Sequence, residues 1–231
     1  MTSQFGCFVT GTDTDVGKTL IAAALLHKCR ERGWRAIGMK PVAAGCAQDA
    51  DGVWRNADVD TLNAASNVRA VAADINPYLF RAAIAPHLAA AHEGRRIEAA
   101  RIRVSYARLQ AQADAIVVEG AGGFLIPLAD DFDSADLARE LGLPVVLVVG
   151  MRLGCLNHAL LTQEAIAARG LTLAGWVANR IDPAMSCFDE NLATLKVRLR
   201  APLLGVVPFM EQPDVMAAAG HLALPQTPSP P

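Results

Sequence analysis

No apolar run in this chain approaches the roughly 20 residues a helix needs to cross a bilayer; stretches such as Val145 to Val149 are far shorter, so no membrane is expected as a partner. The first eleven residues carry no basic leader and run straight into a strand-like segment, which predicts neither a signal peptide nor a transit sequence and makes cytoplasmic residence the expectation. An excess of one charge is also missing. Lys plus Arg at 21 against Asp plus Glu at 23 gives a formal net charge of -2, which supplies no bulk positive field and argues against nucleic acid as a partner. Cysteine is sparse: Cys7, Cys29, Cys46, Cys155 and Cys187 form an odd, scattered set without a C-x-x-C pair, which excludes a disulfide framework and a zinc site of the usual spacing and predicts reduced thiols. There is no internal repeat.

What is present is globular. Hydrophobic residues make up 52% of the 231 residues and charged residues 19%, which removes intrinsic disorder for the body of the chain and is compatible with one larger domain. Apolar runs rich in β-branched residues recur at Phe5 to Thr10, Ala36 to Met39, Ala115 to Val118, Val145 to Val149, Ala174 to Ala178 and Leu203 to Val207. Segments with helical spacing lie between them, for example Ile21, Leu25 and Cys29, then 156–169 and 188–200. Runs that are continuous rather than alternating predict strands covered on both faces. The expected fold is therefore α/β, a single domain whose mostly parallel sheet has helices on both faces, and the loop described next makes it P-loop NTPase-like. Residues 43–76 read as loops and short helices, residues 1–224 as the domain, and 225–231 (PQTPSPP) as a frayed extended end.

In such a sheet ligands gather beyond the carboxyl ends of the strands. The first strand runs into Gly11 Thr12 Asp13 Thr14 Asp15 Val16 Gly17 Lys18 Thr19, and a helix follows. This is a phosphate-binding loop with five residues between its glycines rather than the usual four. Its N–H groups and helix start face an anion, Lys18 reaches the β- and γ-phosphates, and the Thr19 hydroxyl can ligate Mg²⁺. Strand two ends at Lys40, either a second cation at the same rim or a solvated edge charge. Ala115 to Val118 delivers Glu119, followed by Gly120, Ala121, Gly122 and Gly123, an arrangement like a Walker B carboxylate. Asp58 is either a second carboxylate for the metal or a helix N-terminal charge. After Val149 the stretch Gly150 to Asn157 is either a second anion loop or an ordinary connection capped by Asn157, and His158 is open to a core reading. The basic stretches 101–108 and 196–200 read as solvated helix faces.

Together the segments GTDTDVGKT at 11–19, KPVAAG at 40–45, RNAD at 55–58, NPYLF at 76–80, EGAGG at 119–123, GMRLGCLNHALLT at 150–162 and LAGWVAN at 173–179 resemble the dethiobiotin synthetase family over nearly the whole chain. That resemblance implies an ATP-dependent cyclo-ligase of biotin biosynthesis. Its reaction joins 7,8-diaminopelargonate and CO₂, or bicarbonate, at the expense of ATP through a phosphorylated carbamate. It implies Lys40, Lys18 and Thr14 as catalytic residues and Thr19, Asp58 and Glu119 as the Mg²⁺ set. Nucleotide contacts are implied at Asp15, Val16, Gly17, Lys18, Thr19 and Leu20, at Asp58, Glu119, Gly120, Ala121 and Gly122, and at Asn179, Arg180, Val207, Pro208 and Phe209. Substrate contacts are implied at Lys40, Ala44, Leu153, Gly154, Cys155, Leu156 and Asn157, the last five catching a distal carboxylate across a homodimer interface. Three positions depart from the family's common residues: Ala44 stands for serine, Asp15 for glutamate and Arg180 for aspartate, and the last bears on nucleotide choice.

Two other classes share such a loop. A nucleotide-driven switch of the partitioning or metal-trafficking type would carry an additional lysine early in the loop, where this chain has Thr12 and Asp13. A cobyrinate-type amide synthase would need a glutaminase domain for which there is no room.

Overall fold

The computed structural model describes residues 5–226. The apolar runs form six strands: β1 (Phe5–Gly11), β2 (Ala36–Met39), β3 (Ala115–Glu119), β4 (Val145–Met151), β5 (Leu173–Arg180) and β6 (Leu203–Val207). They make one sheet in the order β6-β5-β4-β1-β3-β2, with every neighbouring pair parallel. Successive side chains on a strand point to opposite faces, and both faces are apolar here. On one face Val9 of β1, Val117 of β3 and Val148 of β4 pack with Ile21, Leu25 and Cys29 of the helix Lys18–Glu31. On the other, Phe8 and Val118 meet Ile102 and Leu109 of the helix Ala99–Gln110, while Leu147 and Val149 meet Ala159 of Cys155–Ala168 and Leu195 of Phe188–Arg198. Leu25 is fully buried, so truncating it to alanine should cost about 2–5 kcal/mol.

The irregular region resolves into short pieces. Val42–Ala44 pairs in parallel with Tyr78–Phe80, and Ala47–Gln48 pairs antiparallel with Trp54–Arg55. The helices Ala57–Ala65 and Ala72–Ile75 follow within it. Three helices have no counterpart in the sequence-based expectations: Pro86–His92, Ser134–Glu140 and Val215–Gly220. Each is short and rich in small residues, so its apolar period is weak; two depend on local caps, Asp133 with Asp136 in a capping box and Asp214 at the last helix. Of the expected tail, Pro225 is buried and Gln226 exposed, and residues 227–231 lie outside the described residues. Among the described residues no helix is long and apolar enough to cross a membrane.

Candidate active site

The loop between β1 and the helix Lys18–Glu31 needs left-handed backbone at two places. Asp15 has φ of 57° and Gly17 of 88°. At Gly17 the need for glycine is steric as well as conformational, because a Cβ there would lie 2.2 Å from Nδ2 of Asn179. The loop is fastened to the end of β4: Thr12 N–H donates to the Val148 carbonyl at 3.0 Å, and Gly150 N–H donates to Thr12 Oγ1 at 3.4 Å. Lys18 turns back over the loop, donating from Nζ to the Asp13 carbonyl at 2.9 Å.

Sheet register brings the second lysine to the same place. Met39 is level with Val118, so the next residues along, Lys40 and Glu119, emerge side by side at the carboxyl edge. Lys40 Nζ donates to Glu119 Oε1 at 2.6 Å and to the Gly120 carbonyl at 3.3 Å, and it pairs with Asp58 Oδ2 at 2.9 Å. The alternative of a solvated edge charge is thereby corrected: Lys40 is 4% exposed. Asp58 lies in the first turn of Ala57–Ala65, as its reading as a helix N-terminal charge has it, and it also faces Lys40.

Two asparagines position these groups. Asn56 caps the helix by accepting from Asp58 N and Val59 N, and its Nδ2 donates to the Gly45 carbonyl at 2.7 Å. Asn76 donates from Nδ2 to the Lys40 carbonyl at 2.6 Å and to the Tyr78 carbonyl at 3.1 Å. Motif recognition marks the segments around both residues without saying what either does; only the folded contacts show it.

Lys18, Lys40, Thr14, Thr19, Asp58 and Glu119 all line one cavity of about 760 Å³. Its remaining wall is largely apolar, with Val42, Ala44, Ala83–Pro86 and Ile126. Ile84 and Ile126 come from loops and Pro86 from the start of the helix Pro86–His92, none of which any sequence signal linked to the site. Burial pulls the Lys18 ammonium below its ordinary pKa, and the neighbouring Lys40 adds to this; Glu119, Asp58 and Asp15 oppose it. Burial acts in the same direction on Lys40, but the Glu119 and Asp58 carboxylates override it and hold that lysine above its ordinary value. For Asp58 burial alone would raise the pKa; Lys40, a hydrogen bond with Thr19 and the charge of Lys18 outweigh it and depress it. For Lys40 and Asp58 the shifts thus both favour the charged forms.

The donor set suits a hard cation. Thr19 Oγ1 donates to Glu119 Oε1 at 2.8 Å, and Glu119 Oε2 is buried without a hydrogen-bond partner. No cluster of three or more His, Cys, Asp and Glu exists among the described residues. One hydroxyl and two carboxylates fit Mg²⁺, which keeps several waters and takes phosphate oxygens for the rest of its shell.

Asp15, Gly17, Ala121 and Gly122 also line this cavity, and the remaining expected site residues do not. Asn179 is 5% exposed and donates from Nδ2 to the Val16 carbonyl at 2.9 Å, and it is level with Val207 in the neighbouring strand. Pro208 and Phe209 follow on the surface. Arg180 turns away, donating to the Pro183 carbonyl at 3.0 Å with its guanidinium 4.8 Å over the Phe188 ring. Leu20 packs against the core beneath the loop. Leu153, Gly154, Cys155, Leu156 and Asn157 are not among the cavity-lining residues, and Leu153 is 95% exposed. Asn157 does not cap the following helix: Gly154 is its N-cap, without a side-chain bond, because φ of 95° places a glycine at that turn. His158 is exposed rather than core.

A phosphate loop at the centre of a parallel sheet, with a carboxylate on the adjacent strand, defines the P-loop nucleotide-binding class. In agreement, a family model described as an AAA domain matches residues 6–217. At the level of fold alone, the chain is similar to the signal recognition particle receptor FtsY of Elizabethkingia anophelis (TM-score 0.53, 15% identity, 95% of this chain and 65% of that one). It is similarly related to a MinC:MinD cell division complex of Aquifex aeolicus (TM-score 0.52, 12% identity, 94% of this chain and 87% of that one). The relatives by sequence are more particular. The chain is 58% identical to an ATP-dependent dethiobiotin synthetase BioD of Aromatoleum aromaticum, over 97% of this chain and 100% of that protein. It is 53% identical to the protein of the same name from a Janthinobacterium species, over 96% and 95%. The chain belongs to the ATP-dependent dethiobiotin synthetase family, whose members are ligases of biotin biosynthesis.

Proposed function

We propose that the chain carboxylates 7,8-diaminopelargonate and closes it to dethiobiotin, releasing ADP and phosphate. The supporting observation is the ammonium of Lys40, held between Glu119 and Asp58 in the same cavity as Lys18 and Thr14. In this reading one amine of the substrate adds to CO₂, forming an N–C bond and losing a proton. A carbamate oxygen then attacks the γ-phosphorus of ATP, and the bond to the β-phosphate oxygen breaks to release ADP. The second amine attacks the carbamoyl carbon and gives up a proton, the C–O bond to phosphate breaks to release phosphate, and the cyclic urea is complete.

Each step brings anions together. Carbamate and triphosphate repel one another, and phosphoryl transfer depends mainly on positioning and charge stabilisation. Lys18 would hold the β- and γ-phosphates, Lys40 the carbamate and the transferring phosphoryl group, and the Thr14 hydroxyl the carbamate edge. Thr19, Asp58 and Glu119 would hold Mg²⁺, which supplies charge neutralisation at the phosphates when bound. The loop from Asp15 to Thr19, with Gly120 to Gly122, would border the phosphates. Asn179 with Val207, Pro208 and Phe209 would border the adenine, with Arg180, resting on Phe188, next along the strand. The apolar wall with Ala44 suits the aliphatic chain of the diamine. The segment Leu153 to Asn157, lying outside the cavity of its own chain, would catch the carboxylate of substrate bound to a second copy in a homodimer.

The test supplies Mg-ATP and labelled bicarbonate to the purified protein. Label should enter a cyclic urea only when the diamine acid is present. ATP turnover indifferent to the diamine would instead favour a nucleotide-driven switch.

A further inference from the structure

Outside the residues assigned so far, a second ion pair joins the phosphate loop to the loop after β4. Arg152 Nη2 contacts Asp13 Oδ2 at 2.5 Å, across 139 residues of sequence. Asp13 makes three contacts at once: Oδ2 accepts from Arg152, Oδ1 accepts from the Thr14 N–H at 2.8 Å, and its main-chain carbonyl accepts from Lys18 Nζ at 2.9 Å. The base of the loop is tied to β4 through Thr12. Beyond Thr12, Arg152 supplies a tie from the neighbouring loop to the tip, and the tip carries Thr14 and the left-handed Asp15.

We propose that Arg152 is a positioning residue for the nucleotide loop. By clamping the Asp13 carboxylate it sets the carbonyl that orients the Lys18 ammonium and the backbone that presents Thr14. It does so from the residue just before Leu153 to Asn157, the segment assigned to the carboxylate of substrate bound to a second copy, so it ties the nucleotide loop to that segment. Both partners are about half exposed, at 42% and 46% of their side chains. A pair so exposed contributes little to global stability; its effect is local.

The inference rests on the proposed reaction only for its turnover readout, so nucleotide binding is measured beside it. In Arg152→Met, kcat/KM for ATP should fall about fivefold, the value of roughly 1 kcal/mol. The dissociation constant for ADP with Mg²⁺ should rise in step, while KM for the diamine acid and Tm stay unchanged. Arg152→Lys should restore both nucleotide parameters to within about twofold. The double variant Asp13→Asn/Arg152→Met should be no worse than either single variant, because both remove one contact. Additive effects in the double variant, unchanged nucleotide parameters, or a shift confined to the diamine KM would each overturn the assignment, the last by making Arg152 a direct substrate ligand. Should the wild-type protein form no cyclic urea, the reaction assignment fails, and the ADP series still decides the role of Arg152.

Discussion

Removing Lys40 tests the site through stability as well as turnover. In Lys40→Met the ammonium that holds Glu119 at 2.6 Å and Asp58 at 2.9 Å is gone, and Glu119, 1% exposed, is left without its cation. Stranding a buried charge in this way costs about 3–5 kcal/mol. The Asp58 half of the cluster is 42% exposed and screened by solvent, which argues for the lower end, about 3 kcal/mol. In a chain of this length 1 kcal/mol moves Tm by about 2–4 °C, so the loss should be roughly 6–12 °C. The double variant Lys40→Met/Glu119→Gln removes the stranded charge and should recover at least half of that, although both variants lose dethiobiotin formation. ADP binding should persist in the single variant through Lys18. The sign with pH follows from the shifts. Lys40, raised in the folded state, stabilises fully below about pH 10.4, and its contribution is lost as pH rises through the folded value. Asp58, depressed, stabilises above about pH 3.9, and its contribution is lost as pH falls through its folded value. The contributions of Lys40 and Asp58 are therefore both present across the neutral range. Calorimetric melting between pH 4 and 9 makes the comparison. A Lys40→Met protein that melts with the wild type, or a double variant less stable than the single one, would refute the reasoning.

Gly17→Ala should abolish ADP binding in a titration while the protein stays folded, since the new Cβ would meet Asn179 at 2.2 Å in a left-handed backbone; tight binding would mean that the loop adapts. Under native conditions a thiol reagent should modify exposed Cys187 and half-buried Cys46 quickly. Cys7 and Cys29 should react only on unfolding, because burial pushes both thiols up, Cys29 to about 12; fast modification of either would contradict its burial. Asp114, hydrogen-bonded by the Arg35 side chain and main chain, should titrate by carboxyl NMR with a midpoint of about 2, and Arg35→Ala should raise it only part of the way to the ordinary aspartate range, because the main-chain bond remains. Any stabilisation it gives is present above about pH 3.9 and is lost as pH falls through about 2.

The sheet was legible because its strands are covered on both sides: a continuous run such as Val145 to Val149 has no polar face to confuse its period, and its ends differ from the folded strand by only two residues. The phosphate loop was legible for a different reason, since Gly17, Lys18 and Thr19 have local backbone and hydroxyl requirements that show in adjacent letters. Lys40 was not legible in the same way. Its burial arises from the register of β2 against β3 and from Asp58 arriving on another helix, and neither neighbour lies near it in sequence. The same limit hid Asn76, which fixes the Lys40 carbonyl, and the Arg152–Asp13 tie, whose partners are 139 residues apart. The helix Val215–Gly220 escaped because alanine and glycine carry little periodic signal, although Asp214 caps it.

The order of the sheet constrains how the chain can be born. β1 leaves the ribosome first, but its neighbours are β3, beginning at Ala115, and β4, beginning at Val145; β2, the next strand made, does not touch it. At 5–20 residues per second, the first strand waits on the order of ten seconds for its second border. A product that stalls before Val148 has no carbonyl on which Thr12 can rest, so its nucleotide loop lacks a backing strand. The nucleotide loop can therefore gain its backing only after β4 has been made.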